Sequence, residues 1–238
     1  MEIWNNVFME YNRIDENTLV KLPKQNVDTG MGLERTITVL AGKTSVYQTE
    51  IFQPIIQGVE ELSGYRYGTS EESDRSVRVI ADHLRASVFI LGDPQGVVPS
   101  NVGAGYVLRR LIRRMVRHGK KLGIQDAFLP GLARLVIDNF KGPYPELADN
   151  AEKIVGELAA EEKKFGDTLR KGEAEFEKLL PNLMKNPKKE IPGRVAFRLY
   201  DTFGFPIELT EELAAEQGFT VDRAGFKEAE KKHQELSR

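Results

Sequence analysis

The stretch from Val27 to Ile37 reads VDTGMGLERTI. It decides the fold class, because the apolar pattern changes its period inside it. Upstream, EIWNNVFMEYN (2–12) is rich in β-branched and aromatic residues. Alternation there puts Ile3, Asn5, Val7 and Met9 on one face and Trp4, Asn6, Phe8 and Glu10 on the other. IDEN (14–17) reads as a turn, TLVKL (18–22) as a short partner strand and QNVD (25–28) as a third short extended run. Trp4 is expected in the core. Downstream, Leu33, Ile37 and Leu40 recur at helical steps, so a helix is expected from about Leu33 to Ala41, with Gly42 just beyond its end.

Beyond that point the pattern is helical to the end of the chain. Helices are expected over Tyr47–Leu62, Ser73–Leu91, Tyr106–Arg117, Ala127–Phe140 and Asn150–Leu180. Gly/Pro breaks at GDPQGVVPSNVGAG and KGPYPE and a linker at PNLMKNPKKEIPG separate them. Two or three short helices close the chain around RVAFRLYDTFGF, IELTEELAAEQG and Gly225–Ser237. The expected class is mainly α: a small antiparallel β-piece with one helix at residues 1–65, then an all-α domain at 66–238. So small a β-piece is not a stable sheet alone. It either packs on helices or forms the edge of a larger sheet.

With 238 residues the chain is long enough to bury a sizeable core. It has no cysteine, which excludes disulfides and thiolate zinc sites and suits a reducing cytoplasm. No apolar run is long enough to span a membrane. His83, His118 and His233 are far apart, so no zinc-hydrolase spacing occurs. His83 reads as a satisfied interior histidine, and Asp82 as a partner for Arg78 or Arg85 at helical spacing. The net charge of −2 hides a segregation: from Asn101 to Lys121 there are five arginines, two lysines and no acid.

The opening stretch has the chemistry of an ion-binding turn. Gly30 and Gly32 let a ligand come close to the backbone. The helix behind them points unpaired N–H groups and a positive dipole end toward an anion. Arg35 can fork onto phosphate or lie on a purine, and Asp28 can accept from an ammonium group. The plainer alternative is a strand-to-helix turn whose Glu34 and Arg35 only solvate the helix start. G-x-G-x-E-R at 30–35 is not the G-x-G-x-x-G dinucleotide fingerprint, and it lacks the GK[ST] of a phosphate loop.

The helix YVLRRLIRRMVRHG (106–119) carries a stripe of Leu108, Leu111, Ile112, Met115 and Val116. Arg109, Arg110, Arg113, Arg114 and Arg117 fall off that stripe and form a rail suited to RNA phosphates. Acids supplied from elsewhere in the fold would turn the rail into an ordinary solvated face. No acid nearby in sequence does so. Aromatic platforms are lacking beside it, which favours duplex backbone over stacked single strands.

Taken together, G-M-G-L-E-R at 30–35, EIWNNVFMEYNR, LPKQNVDTGMGLERTITVL, RVIADHLRA, VVPSNVGAGYVLRRLIRRMVRHG, AFRLYDTFGFPIELT and VDRAGFKEAEKKHQE resemble the alanyl-tRNA synthetases, a class II family. The resemblance covers nearly the whole chain in order. It implies motif 3 on the last catalytic strands, at the edge of the class II sheet, followed by the helices that recognise tRNA. The implied reaction joins alanine to ATP as alanyl-adenylate and passes it to tRNA(Ala), with Mg²⁺ accompanying ATP. Asn5, Val7, Asp28 and Gly30 would meet alanine, with Asp28 on its ammonium. Gly30, Gly32, Glu34 and Arg35 would meet ATP. Asn101 and Asp201 would read the G·U pair of the acceptor stem, and the five arginines would hold the RNA. A carboxylate accepts from the guanine 2-amino group that a G·U pair exposes in the minor groove.

In this family motifs 1 and 2 precede the point where the present sequence starts, and an editing domain with its zinc site and an oligomerising domain follow. The resemblance therefore implies that this stretch alone makes alanyl-adenylate at no useful rate, holds no zinc and would need the N-terminal catalytic part if the enzyme is split. Many bacterial members carry Arg where Ala104 stands. A non-catalytic RNA-binding module and a plain helical interaction protein are the alternatives. Asp28 with Arg35 argues against the first; Asn101, Asp201 and the arginines together argue against the second.

Overall fold

A computed structural model describes residues 2–184 and 188–236. The fold is mainly α with an N-terminal antiparallel hairpin. The chain divides between Gln57 and Gly58 into two compact units.

In the first unit, β1 (Trp4–Arg13) and β2 (Leu19–Met31) form the hairpin. At the turn, Ile14 N–H donates to Thr18 O at 3.0 Å and Asn17 N–H to Asp15 Oδ1 at 2.9 Å. The two extended runs expected at 18–22 and 25–28 are one strand. Pairing jumps from Tyr11↔Lys21 to Met9↔Asn26, so Leu22 to Gln25 bulge outward. Pro23 has no N–H to donate, and the bulge accommodates it without breaking the strand. Trp4 is not core: it is 56% exposed, and its indole N–H donates to Thr29 Oγ1 at 3.0 Å. Helix α1 (Leu33–Leu40) follows, tied back by Gly32 N–H to Ile3 O at 3.0 Å. Gly42 lies just past its end in the left-handed region at φ 61°.

The helix expected over Tyr47–Leu62 is split. A 3₁₀ turn at Val46–Gln48 is closed by Thr49 Oγ1–H on Val46 O at 2.6 Å. Helix α2 (Gln53–Ser63) then restarts with Pro54 in its first turn, where the missing N–H costs nothing.

The second unit is helical. Its main elements are α3 (Glu71–Gly92), α4 (Gly103–Lys121), α5 (Leu129–Phe140), the single turn α6 (Glu146–Asp149) and α7 (Ala151–Leu183). Val77, Ile80 and Leu84 of α3, Leu108, Ile112 and Met115 of α4 and Ile154, Leu158 and Phe165 of α7 are fully buried. Part of the expected 181–193 linker lies outside the described residues. The remainder differs from an all-α domain by one small pair: β3 (Glu190–Ile191) runs parallel to β4 (Thr220–Val221). Around it sit α8 (Gly193–Phe203), α9 (Ile207–Glu216) and α10 (Arg223–Leu236), joined by a cluster of Ala196, Ile207 and Phe226 with Phe197 and Tyr200. Among the described residues no helix is long and apolar enough to cross a membrane.

Candidate ligand face and nucleic-acid interface

The hairpin register brings four of the sequence-selected residues together. Asn5 pairs with Gly30 and Val7 with Asp28. Cross-strand partners point to the same side, as do residues two apart, so all four share one face. No side-chain atom of the described protein lies within 4 Å of where a Cβ on Gly30 would stand, and Gly30 has no positive φ. Neither backbone conformation nor crowding explains the glycine. Asp28 Oδ1 accepts locally, from Thr29 N–H at 2.9 Å. Arg35 Nη1 donates to Glu2 O at 3.0 Å, which holds its guanidinium beside the start of the hairpin with further N–H groups to offer. At Gly32, the N-cap of α1, a Cβ would stand 3.3 Å from the Arg35 side chain. Such a face can hold a cation at Asp28 and an anion at Arg35.

The second unit holds the other candidate residues. Asn101 lines a crevice of about 280 Å³ with Gly103, Tyr106, Tyr200, Ile207, Phe226 and Glu230. Asp201 follows Tyr200 directly; its Oδ1 lies 3.5 Å from His233 Nε2. Burial first, with Glu208 second, pushes the Tyr106 phenol up to about 12, and burial also raises Tyr200. Both phenols therefore stay protonated and able to donate. Tyr106 OH donates to Glu208 Oε2 at 3.4 Å.

The arginines of α4 differ from the expected open rail. Glutamates distant in sequence meet them. Arg110 Nη1 lies 3.1 Å from Glu208, Arg114 Nε 2.8 Å from Glu212, and Arg117 2.8 Å from Glu212 and 2.7 Å from Glu216. Glu161 of α7 meets Arg113 Nε at 2.8 Å and Arg109 Nε at 3.3 Å. Arg117 is 2% exposed, its guanidinium taken up by Glu212 and Glu216. Periodicity set these side chains off the apolar stripe, but α7 and α9 enclose α4 on its polar side too. Arg110, with 37% of its side chain exposed, is the most open of the five.

The partner acids were legible in part. Glu208, Glu212 and Glu216 recur every four residues along α9, and Glu161 and Glu162 interrupt the apolar stripe of α7. Glu162 takes a structural post: its carboxylate accepts from Phe128 and Leu129 N–H at 3.0 and 3.2 Å, at the start of α5. His83 is mostly buried, with Asp82 Oδ2 2.9 Å from Nδ1 and Arg114 Nη1 3.1 Å from Nε2. Its hydrogen bond, against the opposing effect of burial and with smaller help from the charges of Arg85 and Arg114, holds the Asp82 carboxyl below the usual range. Arg78 instead pairs with Glu71 at 3.1 Å.

The chain matches the family described as tRNA synthetases class II (A) along residues 1–238, and it belongs to that family. Within it, the chain is an alanyl-tRNA synthetase region. It is 62% identical over 238 residues to the alanine–tRNA ligase of Treponema denticola, covering 100% of this chain and 40% of that protein. It is 58% identical over 238 residues to that of Treponema pallidum, covering 100% and 39%. Against the alanine–tRNA ligase of Fusobacterium nucleatum the identity is 43% over 238 residues, 100% of this chain and 27% of the relative. The chain thus spans about two fifths of the length of its Treponema relatives.

Proposed function

We propose that this chain carries two working parts of an alanine–tRNA ligase: the motif 3 face of the alanine- and ATP-binding site, and the helices that read the tRNA(Ala) acceptor stem. On the hairpin, Asp28 holds the alanine ammonium, Asn5 and Val7 line a pocket for a methyl-sized side chain, and Gly30 leaves room for the substrate. Gly32 and Glu34 shape the ATP side, and Arg35 covers adenine and neutralises phosphate charge as pyrophosphate leaves. Positioning and charge neutralisation are the main demands of such an in-line displacement. Mg²⁺ would arrive with ATP. Among the described residues no group of three or more His, Cys, Asp or Glu is placed to hold a metal.

On the helical unit, Asn101 and Asp201 read the G·U pair, with Arg110 and Arg114 offering charge to the flanking phosphates. The observation that carries this reading is the crevice lined both by Asn101, on the loop before α4, and by Tyr200, the neighbour of Asp201 on α8. Two segments distant in sequence converge there with polar groups suited to a minor groove. Division of the working parts as 1–65 and 66–238 belongs to the same reading.

Fluorescence anisotropy with two acceptor-stem RNA hairpins, one with G·U and one with G·C in its place, tests it at moderate salt. Tighter binding to G·U, lost in Asn101→Ala and in Asp201→Ala, is the expected result. Equal binding to both hairpins would refute the readout by this chain.

A further inference from the structure

Between the two proposed reader residues lies a buried group of three charges. Glu161 sits in the middle of α7, in a stripe otherwise made of Leu158, Phe165 and Leu169, and only 6% of its side chain is exposed. A carboxylate there is costly unless cations meet it. Its Oε1 accepts a hydrogen bond from Arg113 Nε at 2.8 Å and forms an ion pair, without hydrogen-bond geometry, with Arg109 Nε at 3.3 Å. The far ends of both guanidinium groups do not stop at Glu161. Arg109 Nη1 donates to Asn101 Oδ1, and its Nη2 reaches Pro99 O at 3.5 Å. Arg113 Nη1 donates to Gly204 O at 2.7 Å, three residues after Asp201. Gly204 ends α8 in the left-handed region at φ 62°, where Phe205 N–H closes the turn on Leu199 O at 3.1 Å. Arg113 also lies over the Phe165 ring, 5.0 Å from its centroid, so its plane is fixed by packing.

We infer that Arg109, Glu161 and Arg113 form a clamp that positions the two reader residues relative to each other, one arm on the Asn101 loop and one on the turn behind Asp201. Arg109 and Arg113 are therefore positioning residues, not phosphate contacts. The inference rests on Asn101 and Asp201 being the readers. An Arg–Glu–Arg group of this kind adds little net stability over an apolar one, whereas its forks fix geometry in two directions. The Arg109 arm also sets the chemistry of Asn101. Its Oδ1 accepts from a guanidinium donor, which leaves the Nδ2 hydrogens as the amide's remaining donors.

The test uses two readouts on the whole chain. Hydrogen exchange without RNA comes first: Glu161→Gln keeps the size of the side chain and removes its charge. Both the 98–103 loop and the 201–206 turn should lose protection together in this variant, while α3 and α5 keep theirs. Loosening of only one segment, or of neither, overturns the clamp regardless of what the RNA experiments show. The second readout is the G·U over G·C preference in Arg109→Ala and Arg109→Lys. Both substitutions should lower the preference by about tenfold or more, because neither side chain can hold Asn101 and Glu161 at once. The slope of affinity against salt should stay as in the unmodified chain. A slope shallower by about one, with the preference intact, would make Arg109 a phosphate contact and refute its positioning role. A chain with no G·U preference and intact coupled exchange would remove the reader assignment and leave the clamp standing as structure.

Discussion

Asp28 faces Val7, and Gly30 faces Asn5, on an open side of the hairpin. In a full-length ligase containing this stretch, Asp28→Asn should lower kcat/KM for alanine by about tenfold to a hundredfold, the usual worth of a hydrogen bond to a charged group. Gly30→Ala separates ligand from scaffold. Its methyl meets no protein atom and its backbone is unstrained, so the melting temperature should hold or rise slightly. The alanine KM should rise all the same. An unchanged KM in steady-state kinetics would remove this face from the alanine site. At this scale the sequence marked Asp28, Gly30 and Arg35 by type and spacing, and the hairpin register sets Asp28 and Gly30 on one face. Trp4 was misjudged, because an aromatic residue in a strand looks the same whether its face is covered or open.

At the scale of elements, glycine contacts decide how closely helices approach. Along α7, a Cβ on Gly172 would stand 2.5 Å from the Phe205 ring, while one on Gly166 would meet nothing within 4 Å. Gly172→Ala should therefore lose about 1–3 kcal/mol by overpacking. Gly166→Ala should gain about 0.5–1 kcal/mol from helix propensity. Urea unfolding of the two variants compares them directly, and equal midpoints would contradict the packing at Phe205. Glu162 offers a second test. Glu162→Ala leaves the Phe128 and Leu129 N–H groups buried without their acceptor, which should cost about 1–3 kcal/mol. A loss below about 0.5 kcal/mol would show that water replaces the carboxylate. Element boundaries were largely readable from apolar period and Gly/Pro breaks. The merged β2 and the split before α2 were not, because bulges and 3₁₀ turns depend on which backbone groups find partners.

Across the whole molecule, α4 is held by charges on α7 and α9. On the same helix, His118 is 5% exposed, with Nδ1 3.0 Å from Ser76 Oγ of α3. Burial first, then Arg117, Lys121, Arg114 and His83, push its pKa down to about 3. Folded His118 thus stays neutral, while the unfolded chain protonates it near its ordinary value. Between roughly pH 6.5 and 3 the unfolded state binds more protons, so stability falls as pH falls, by at most about 1.4 kcal/mol per pH unit from this group. Glu216 acts in the same direction. Burial opposes its charge, but Lys121 and Arg117 outweigh it and hold its carboxyl low, so its contribution is also lost on acidification. Urea midpoints between pH 7 and pH 5 should decline less steeply in His118→Gln than in the unmodified chain. Parallel declines would assign the pH dependence to other groups.

Sequence by itself determined the class: the switch from alternation to helical period after Gly32, the amphipathic stripes of α3, α4 and α7, and the ordered phrases that place the chain among the alanyl-tRNA synthetases. These signals are local, because a helix or strand is written in residues a few positions apart. Only the tertiary structure decided the state of the arginines. Glu161, Glu208, Glu212 and Glu216 lie far along the chain from α4, and pairing between distant charges leaves no periodic mark near either partner. The same holds for the crevice that Asn101 and Tyr200 both line. Coulomb energy and desolvation depend on distance in space, and distance in space is what folding supplies.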